Sequence, residues 1–437
     1  MTTAIASQLK SITNTELIEL DEADVGWHKI YQVIGKNAPI YLLFPQTIEA
    51  LTAIVRQAAQ QHWRMLVCGN ASKINWGKIS QDIQLVISTQ KCDRLIEHAA
   101  GDLTVTVEAG MKLADLQSKL RSHNQFLPID SPYAHATLGG IVATADTGSW
   151  RQRYGGVRDL LLGLSFVRAD GEVAKAGGRV VKNVAGYDLM KLFTGAYGTL
   201  GVMTQLTFRL YPLIANSQTL LITGKAEQIA QATQTIRNSG LTPTAMDLLS
   251  ATVIKQLGLG SDLGLMIRWQ TIPESIEQQR SQVKAIAQEL DLATSIYQDE
   301  PEENLWQECG KIISIPQFEE AVTCKFGIPP VAAVGLLKQI GDPEEFSMGN
   351  RHNNILARVH ANSGLGRLQL NTNYELIEQI RAHCQQHQGF LTILDAPQAV
   401  KQQIDIWGYS GNAIKTMEAI KHQFDPQNIL NPDRFIV

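Results

Sequence analysis

Hydrophobic positions recur at two spacings along the chain, and the texture changes near residue 215. After Phe44-Pro45, Thr47 stands where a helix N-cap is expected. Ile48, Leu51, Ile54, Val55 and Ala58 then recur at three- and four-residue intervals, which predicts a helix. MLVCGN and DIQLVIS read as short strands. LTVTVEAG alternates, putting Leu103, Val105 and Val107 to one side and Thr104, Thr106 and Glu108 to the other. A helix follows from about Lys112 to His123, with Leu113, Leu116 and Leu120 on one face. LLGLSFVRADGEVAKAGG reads as a hairpin turning at Asp170-Gly171, and LGVMTQLTFRLYP as a strand stopped by Pro212. Beyond Pro212 glycine thins out. Strand-like TLLITG, LGLMIRW, NILARVHAN and GFLTIL alternate with helical stretches at 226–238, 276–290 and 374–386. That order suits helices on one face of a mostly antiparallel sheet. Residues 1–35 carry no strong pattern and read as a lead-in.

The chain's 437 residues suit two or three domains rather than one core. Hydrophobic content of 44% with 18% charged residues marks a folded protein. The formal charge of −4 offers no basic face for nucleic acid. Cys68, Cys92, Cys309, Cys324 and Cys384 are scattered, with no C-x-x-C pair. This argues against a disulfide framework, a zinc ribbon or an iron–sulfur site in this chain, and fits a reducing compartment. MTTAIASQLKSITNTELIEL has no basic start and no apolar core, so no signal peptide is expected. No uninterrupted apolar run reaches the roughly 18 residues of a membrane span, so a cytoplasmic protein that meets membranes only through partners is expected.

Three glycine-rich loops lie in the first half: VCGNASKINWG (67–77), SPYAHATLGGIVATADTGSWRQRYGG (131–156) and GGRVVKNVAGYDLMKLFTGAYGTLGV (177–202). The third contains neither G-x-G-x-x-G nor a P-loop lysine pattern. Small residues let a backbone approach a pyrophosphate or a flat ring closely. Tight turns are the other reading, but three such loops in one domain exceed what turns require.

These loops resemble the FAD-binding domain of the vanillyl-alcohol-oxidase-like, or PCMH-type, flavoproteins. CGNASKINWG resembles the family's first pyrophosphate loop. ATLGGIVATADTGSWRQRYGGVRDLLLGLSFVRADGEV resembles its second loop and hairpin, YGTLGVMTQLTFRLYP the strand closing the flavin site, and FDPQNILNPDRF the C-terminal segment returning to it. The 177–202 stretch is similar to the flavin subunits of glycolate oxidase (glycolate dehydrogenase), and the overall pattern to the second, smaller flavin-binding subunit among them. The resemblance implies an α+β chain: a lead-in at 1–35, a PCMH-type FAD-binding domain at 36–215, a cap of antiparallel sheet with helices at 216–400, and a returning segment at 401–437. It implies FAD with its pyrophosphate at Gly69, Asn70, Ala71, Ser72 and Lys73. Thr137, Leu138, Gly139, Gly140 and Ala143 would line the central run, and Asp146, Gly148 and Tyr154 would sit near the ring or ribityl chain. Gly201 and Val202 would meet the cofactor through main chain. Tyr187, Asp188 and Lys191 either order their loop or simply pack on it. The family sometimes tethers FAD through a His or Cys. Here no histidine stands beside Gly69, and Cys68 reads as a buried strand-end residue, so non-covalent FAD is expected.

Catalytic relatives of this branch act on 2-hydroxy acids. The α-hydrogen leaves as hydride while a base takes the hydroxyl proton, a task that suits histidine. Their cap motif is of the type H-x-G-D-G-N-x-H, where this chain reads VHANSGLGRLQL. His360 and Gly364 remain, while the Asp, the Asn and the second His do not. His360 is the candidate catalytic residue, against a structural role in a strand. Arg358 and Arg367 either hold a carboxylate bidentately or lie on a solvated face, and His352 reads as a loop residue. No metal site is expected. The implied role is an FAD-binding subunit of a glycolate oxidase complex, passing electrons to a second flavin-binding subunit and an iron–sulfur subunit. A self-sufficient FAD-linked, D-lactate-like dehydrogenase and a non-catalytic assembly subunit are the alternatives. Because the second His and the Asp-Gly-Asn of that motif are missing, and no carboxylate stands near His360 in sequence, the lone chain is expected to oxidise glycolate or D-lactate slowly or not at all.

Overall fold

The computed structural model describes residues 2–20, 27–34, 40–179, 186–318, 320–342 and 354–437; His352 and residues 180–185 of the third loop lie outside them. The chain divides into two units. One comprises Met1–Gly148, Tyr154–Leu213 and Ser410–Val437, the other Ser149–Arg153 and Ile214–Tyr409.

The first unit opens with a small sheet. β1 (Thr15–Leu20), β2 (Ile40–Pro45), β3 (Met65–Cys68) and β4 (Leu85–Ser88) lie in the order β1-β2-β4-β3. β2 and β3 both pair parallel with β4. Both β2 and β4 are buried at every position, as expected of parallel strands covered on both faces. The helix Ile48–Gln61 covers one face. Thr47 caps it, its Oγ1 accepting from Ala50 N at 3.1 Å, and His62 ends it in the left-handed region. Its Leu51, Ile54, Val55 and Ala58 pack on Tyr41, Leu43, Met65 and Ile87. The lead-in carries structure as well: a helix at Thr2–Lys10, whose Leu9 enters that core, and β1, paired with β2 over six positions.

A second sheet is antiparallel throughout. β5 (Leu95–Ala99) and β6 (Thr104–Glu108) precede the helix Leu113–Arg121, and the short β7 (Gln125–Phe126) follows it. β8 (Leu161–Val167) and β9 (Val173–Gly177) form the hairpin expected at Asp170-Gly171, where Gly171 has φ +82°. β10 (Val202–Arg209) completes the order β5-β6-β10-β8-β9, and β11 (Tyr211–Pro212) pairs with β7. The alternation in β6 does not mark a solvated face, because all five residues of β6 are buried. Val105 and Val107 meet Leu116, Leu120 and Phe208. On the polar side Thr106 and Thr207 share a hydrogen bond of 2.9 Å, and Glu108 receives Arg94 through two nitrogens at 2.7 and 3.2 Å.

The C-terminal helix Ile414–Phe424 also belongs to the first unit. The chain after it lies along β3, the edge of the first sheet. Met65 N donates to Ile429 O at 2.7 Å, and Asn431 N donates to Met65 O at 2.9 Å. Lys421 Nζ ties the turn together, donating to Asp425 at 2.5 Å, Leu430 O at 2.9 Å and Thr199 O at 3.0 Å.

The second unit is built on one sheet, with eight strands among the described residues. They are β12 (Ser217–Gly224), β13 (Ala245–Leu249), β14 (Leu263–Gln270), β15 (Ala293–Gln298), β16 (Ala321–Gly327), β17 (Leu356–His360), β18 (Leu365–Asn371) and β19 (Phe390–Asp395). Their order is β15-β12-β14-β13-β17-β18-β16-β19, antiparallel throughout. The expectation of helices on one face needs correcting. Leu221, Leu249, Met266 and Leu356 pack on the helices Ala251–Gln256 and Asp299–Ser314. The intervening Leu220, Leu248, Leu265 and Val359 are buried too, so the opposite face is covered as well. The helices Ala226–Arg237, Pro273–Glu289 and Ala333–Gly341 lie against β12, β13 and β14.

Candidate functional site

A cleft runs along the first unit. Its walls come from three loops and the C-terminal segment. The first loop leaves β3 at Cys68. Ser88 Oγ donates to Gly69 O at 2.7 Å, and Ala71 turns the chain at φ +51°. Gly69 is required by contact: a Cβ there would stand 2.0 Å from Thr137 Oγ1. Thr137 in turn caps the short helix Leu138–Thr144, accepting from Gly140 N at 3.2 Å. Gly139 sits against Ala109, its N–H donating to Ala109 O at 2.8 Å. At Gly140 an added Cβ would meet only Thr137 Oγ1, at 3.2 Å. Small residues thus keep bulky side chains out of two adjoining walls.

Lys73 puts a cation in the wall. Its Nζ pairs with Asp146 at 3.0 Å, both side chains being buried, and Ser131 Oγ donates to the same carboxylate oxygen at 2.7 Å. The ammonium also lies 5.3 Å from the Tyr133 ring centre.

The C-terminal segment closes the first loop from behind. Asn431 Oδ1 accepts from Val67 N at 2.6 Å, and its Nδ2 donates to Tyr197 O at 2.7 Å. Arg434 is buried and donates to Lys78 O at 2.6 Å and to the carbonyls of Ile74 and Trp76. Burial pushes its guanidinium down to about 10, so it stays charged at neutral pH. Burial pushes the neighbouring Cys68 thiol up to about 12, against the pull of Arg434. A thiol held protonated is a poor nucleophile, which argues against a covalent tether there.

Of the residues expected at a cofactor, Gly69, Asn70, Ala71, Ser72, Lys73, Thr137, Gly139, Gly140, Ala143 and Gly201 line this cleft. Leu138, Asp146, Gly148, Tyr154 and Val202 stand outside its wall, for identifiable reasons. Leu138 and Val202 point into hydrophobic cores. Asp146 lies behind Lys73. Gly148 makes room for the Asp130 carboxylate, which an added Cβ would approach to 2.3 Å. Tyr154 packs between Phe126 and Tyr211, with ring centres at 5.5 and 4.8 Å. Sequence reasoning missed Trp76, Ala109, Tyr197, Asn431 and Arg434 as cleft residues. For the last two, FDPQNILNPDRF carried the signal: Asn431 adopts φ +44° just before Pro432. Tyr187 is exposed, and Asp188 pairs with Lys191 at 2.9 Å on the surface.

In the second unit, His360 ends β17 and lies opposite Asp247 of β13. Its Nδ1 meets Asp247 Oδ1 at 2.7 Å. The carboxylate missing from the local sequence therefore arrives from a strand more than a hundred residues away. Arg358 and Arg367 are not on a solvated face. Both are buried, Arg358 Nε lying 3.7 Å from Asp247 and Arg367 donating to Ser314 Oγ at 3.0 Å. Burial alone would raise the Asp247 carboxyl; His360, Arg358 and Ser149 outweigh it and hold the group below the usual carboxylate range. Among the described residues no cluster of three or more His, Cys, Asp or Glu is placed to hold a metal ion, and no helix is long and apolar enough to cross a membrane.

Comparison with known proteins accounts for the cleft. Residues 39–177 match the family described as FAD binding domain, and residues 407–435 match the FAD linked oxidases, C-terminal domain. FAD is the cofactor of this domain. Both matched segments are parts of FAD-linked oxidoreductases. The chain is 23% identical over 427 residues to the glycolate oxidase subunit GlcD of Bacillus subtilis, covering 91% of this chain and 89% of that one. It is 34% identical over 167 residues to the glycolate oxidase subunit GlcE of Escherichia coli, covering 38% and 47%. It is 31% identical over 211 residues to a probable mitochondrial D-lactate dehydrogenase of Danio rerio, covering 47% and 42%. The chain thus spans about half the length of several curated relatives it matches, 42% and 55% in two of them. A solved chitooligosaccharide oxidase superposes over 99% of this chain and 98% of its own, with a TM-score of 0.70 at 13% identity, a likeness of fold. The architecture is α+β, a PCMH-type FAD-binding domain with a cap of antiparallel sheet and helices.

The cleft fits FAD on its own geometry. Gly69, Ala71, Ser72, Gly139 and Gly140 line it without bulky side chains, a cation stands in its wall, and an added Cβ would crowd Gly69 at once.

Proposed function

We propose that this chain is the FAD-binding subunit of a complex that oxidises a small 2-hydroxy acid, glycolate to glyoxylate or the D-lactate counterpart, at the CH–OH group. The observation carrying this reading is the cleft of small residues with Lys73 in its wall, in a chain whose relatives are named glycolate oxidase subunits and D-lactate dehydrogenases. Residues 36–215 are assigned the FAD-binding domain, 216–400 the cap, and 401–437 the segment closing the first loop. Among the glycolate oxidase subunits, the overall sequence pattern favours the smaller flavin-binding subunit, of the GlcE type. A second flavin-binding subunit and an iron–sulfur subunit are the partners in this reading, and they would carry any membrane contact of an otherwise cytoplasmic protein.

The main chain of Gly69–Ser72, with Lys73, would hold the pyrophosphate, and Thr137–Ala143 the run behind it. Bound non-covalently, FAD supplies a two-electron hydride acceptor. Asp146 neutralises Lys73 and fixes it in place. His360 would take the substrate hydroxyl proton at Nε2.

Anaerobic mixing of the FAD-loaded chain with glycolate or D-lactate tests this. Slow bleaching of the flavin band is expected with the lone chain, becoming fast when the partner subunits are present. Failure of both acids to bleach the flavin with the partners present would reject the 2-hydroxy-acid reading. Fast bleaching by the lone chain would favour a self-sufficient dehydrogenase.

A further inference from the structure

Asp247 and His360 form the centre of a buried polar network in the second unit. Asp247 is fully buried and His360 is 7% exposed. One carboxylate oxygen faces His360 Nδ1 at 2.7 Å, and the other accepts from the Ser149 hydroxyl, with Arg358 Nε at 3.7 Å. Arg358 in turn is hydrogen-bonded with Cys309 of the helix Asp299–Ser314. An ionised carboxylate only accepts, so the proton between the two rests on His360 Nδ1. In the neutral imidazole the lone pair is then on Nε2, which has no hydrogen-bond partner among the described residues.

Charged groups on the helix that carries Cys309 and on β18 have partners of their own. Glu302, on the same helix as Cys309, binds Thr219 at 2.6 Å and Arg268 at 3.1 Å. Arg367 is on Ser314. Burial pushes the Cys309 thiol up to about 11, so it stays neutral. The segment that supplies Ser149 also carries Arg151 and Arg153. Asp247 is the carboxylate in contact with His360.

We propose that Asp247 is a positioning residue that fixes His360 as the Nδ1–H tautomer and leaves Nε2 as the proton-accepting atom, Ser149 and Arg358 fixing Asp247 in turn. This rests on the 2-hydroxy-acid reading above. In that reaction the O–H bond breaks and its proton passes to Nε2. The electron pair left on oxygen closes the carbonyl as the α-hydrogen departs with its own pair to FAD. The acid is oxidised by two electrons to a 2-oxo acid, and the cofactor is reduced by two.

Asp247→Asn separates positioning from packing, because it keeps shape and loses charge. Ser149 and Arg358 both present donors to one side of residue 247, so the amide oxygen should turn to them and the amide NH₂ to His360. Nδ1 must then accept, which moves the proton to Nε2 and removes the acceptor. The experiment is a long-range proton–nitrogen correlation spectrum of the FAD-loaded full chain with labelled histidine, wild type against variant. The wild type should show Nδ1–H at His360 and Asp247→Asn should show Nε2–H. The rate of flavin reduction by glycolate or D-lactate should fall by about a hundred- to ten-thousandfold, with the substrate concentration for half-maximal rate little changed. An Nε2–H wild type overturns the proposal outright and needs no variant to fold. A variant with wild-type tautomer and rate overturns it equally. If the tautomer switches as expected but neither acid reduces the wild-type flavin, even with partner subunits, the positioning stands and the substrate class falls.

Discussion

Gly140→Val should yield a folded protein that no longer takes up FAD normally. An added Cβ at this position meets only Thr137 Oγ1, at 3.2 Å, a tight contact that a shift of that hydroxyl by a few tenths of an ångström relieves. The two further methyl carbons have no place but the cleft that Gly140 lines. Overpacking of a fitted site costs about 1–3 kcal/mol, or roughly a five- to hundred-and-fiftyfold loss in affinity. Gly69→Val makes the contrast. There the Cβ would stand 2.0 Å from Thr137 Oγ1, against the very side chain that caps the next wall. That variant should lose stability without FAD as well as affinity for it. Urea unfolding of both variants, with and without FAD, reads the two effects separately. Saturating FAD should raise wild-type stability, by about 2.7 kcal/mol at a hundred times its Kd. Gly140→Val should match the wild type without FAD and show little of that gain. Wild-type affinity in Gly140→Val would mean that this wall does not touch the cofactor.

Arg434→Met should destabilise the whole first loop. The methionine can follow the aliphatic stem of the arginine, so the volume is roughly kept. What disappears is a buried guanidinium that donates to the carbonyls of Ile74, Trp76 and Lys78. An unsatisfied buried acceptor costs about 1–3 kcal/mol, so three of them at the low end come to about 3 kcal/mol. The Arg434 carbonyl still accepts from Lys78 N at 3.3 Å, so the segment should stay docked but loosened. The expected outcome is a lower urea midpoint at unchanged slope, together with weaker FAD binding. A midpoint equal to that of the wild type would show that water replaces the guanidinium at no cost.

The α+β character and the glycine walls were legible because they depend on local rules. The Thr47 cap, the Asp170-Gly171 turn and the helical spacing of Leu113, Leu116 and Leu120 each specify one conformation within a few residues. The helix Asp299–Ser314 was not legible. It opens DEPEEN, which reads as a loop, yet Pro301 is tolerated in a first turn and Glu302 is buried on Thr219 and Arg268. The same limit hid the partner of His360. A register between β13 and β17 makes neighbours of Asp247 and His360, and no periodicity along either strand announces it. Arg358 stayed between two readings for the same reason, since an arginine in an alternating strand resembles a surface residue until its carboxylate is found. Tyr154 and Gly148 followed the family's pattern but turned to packing, where Phe126, Tyr211 and Asp130 decide their neighbours.

The most direct measurement is a fluorescence titration of flavin-free full chain with FAD, followed by acid precipitation of the complex. One FAD per chain should be quenched on binding, and all of it should return to the supernatant when the polypeptide precipitates. Absence of binding at FAD concentrations that saturate other flavoproteins, or flavin retained in the pellet, would contradict a cleft that holds FAD without a covalent bond.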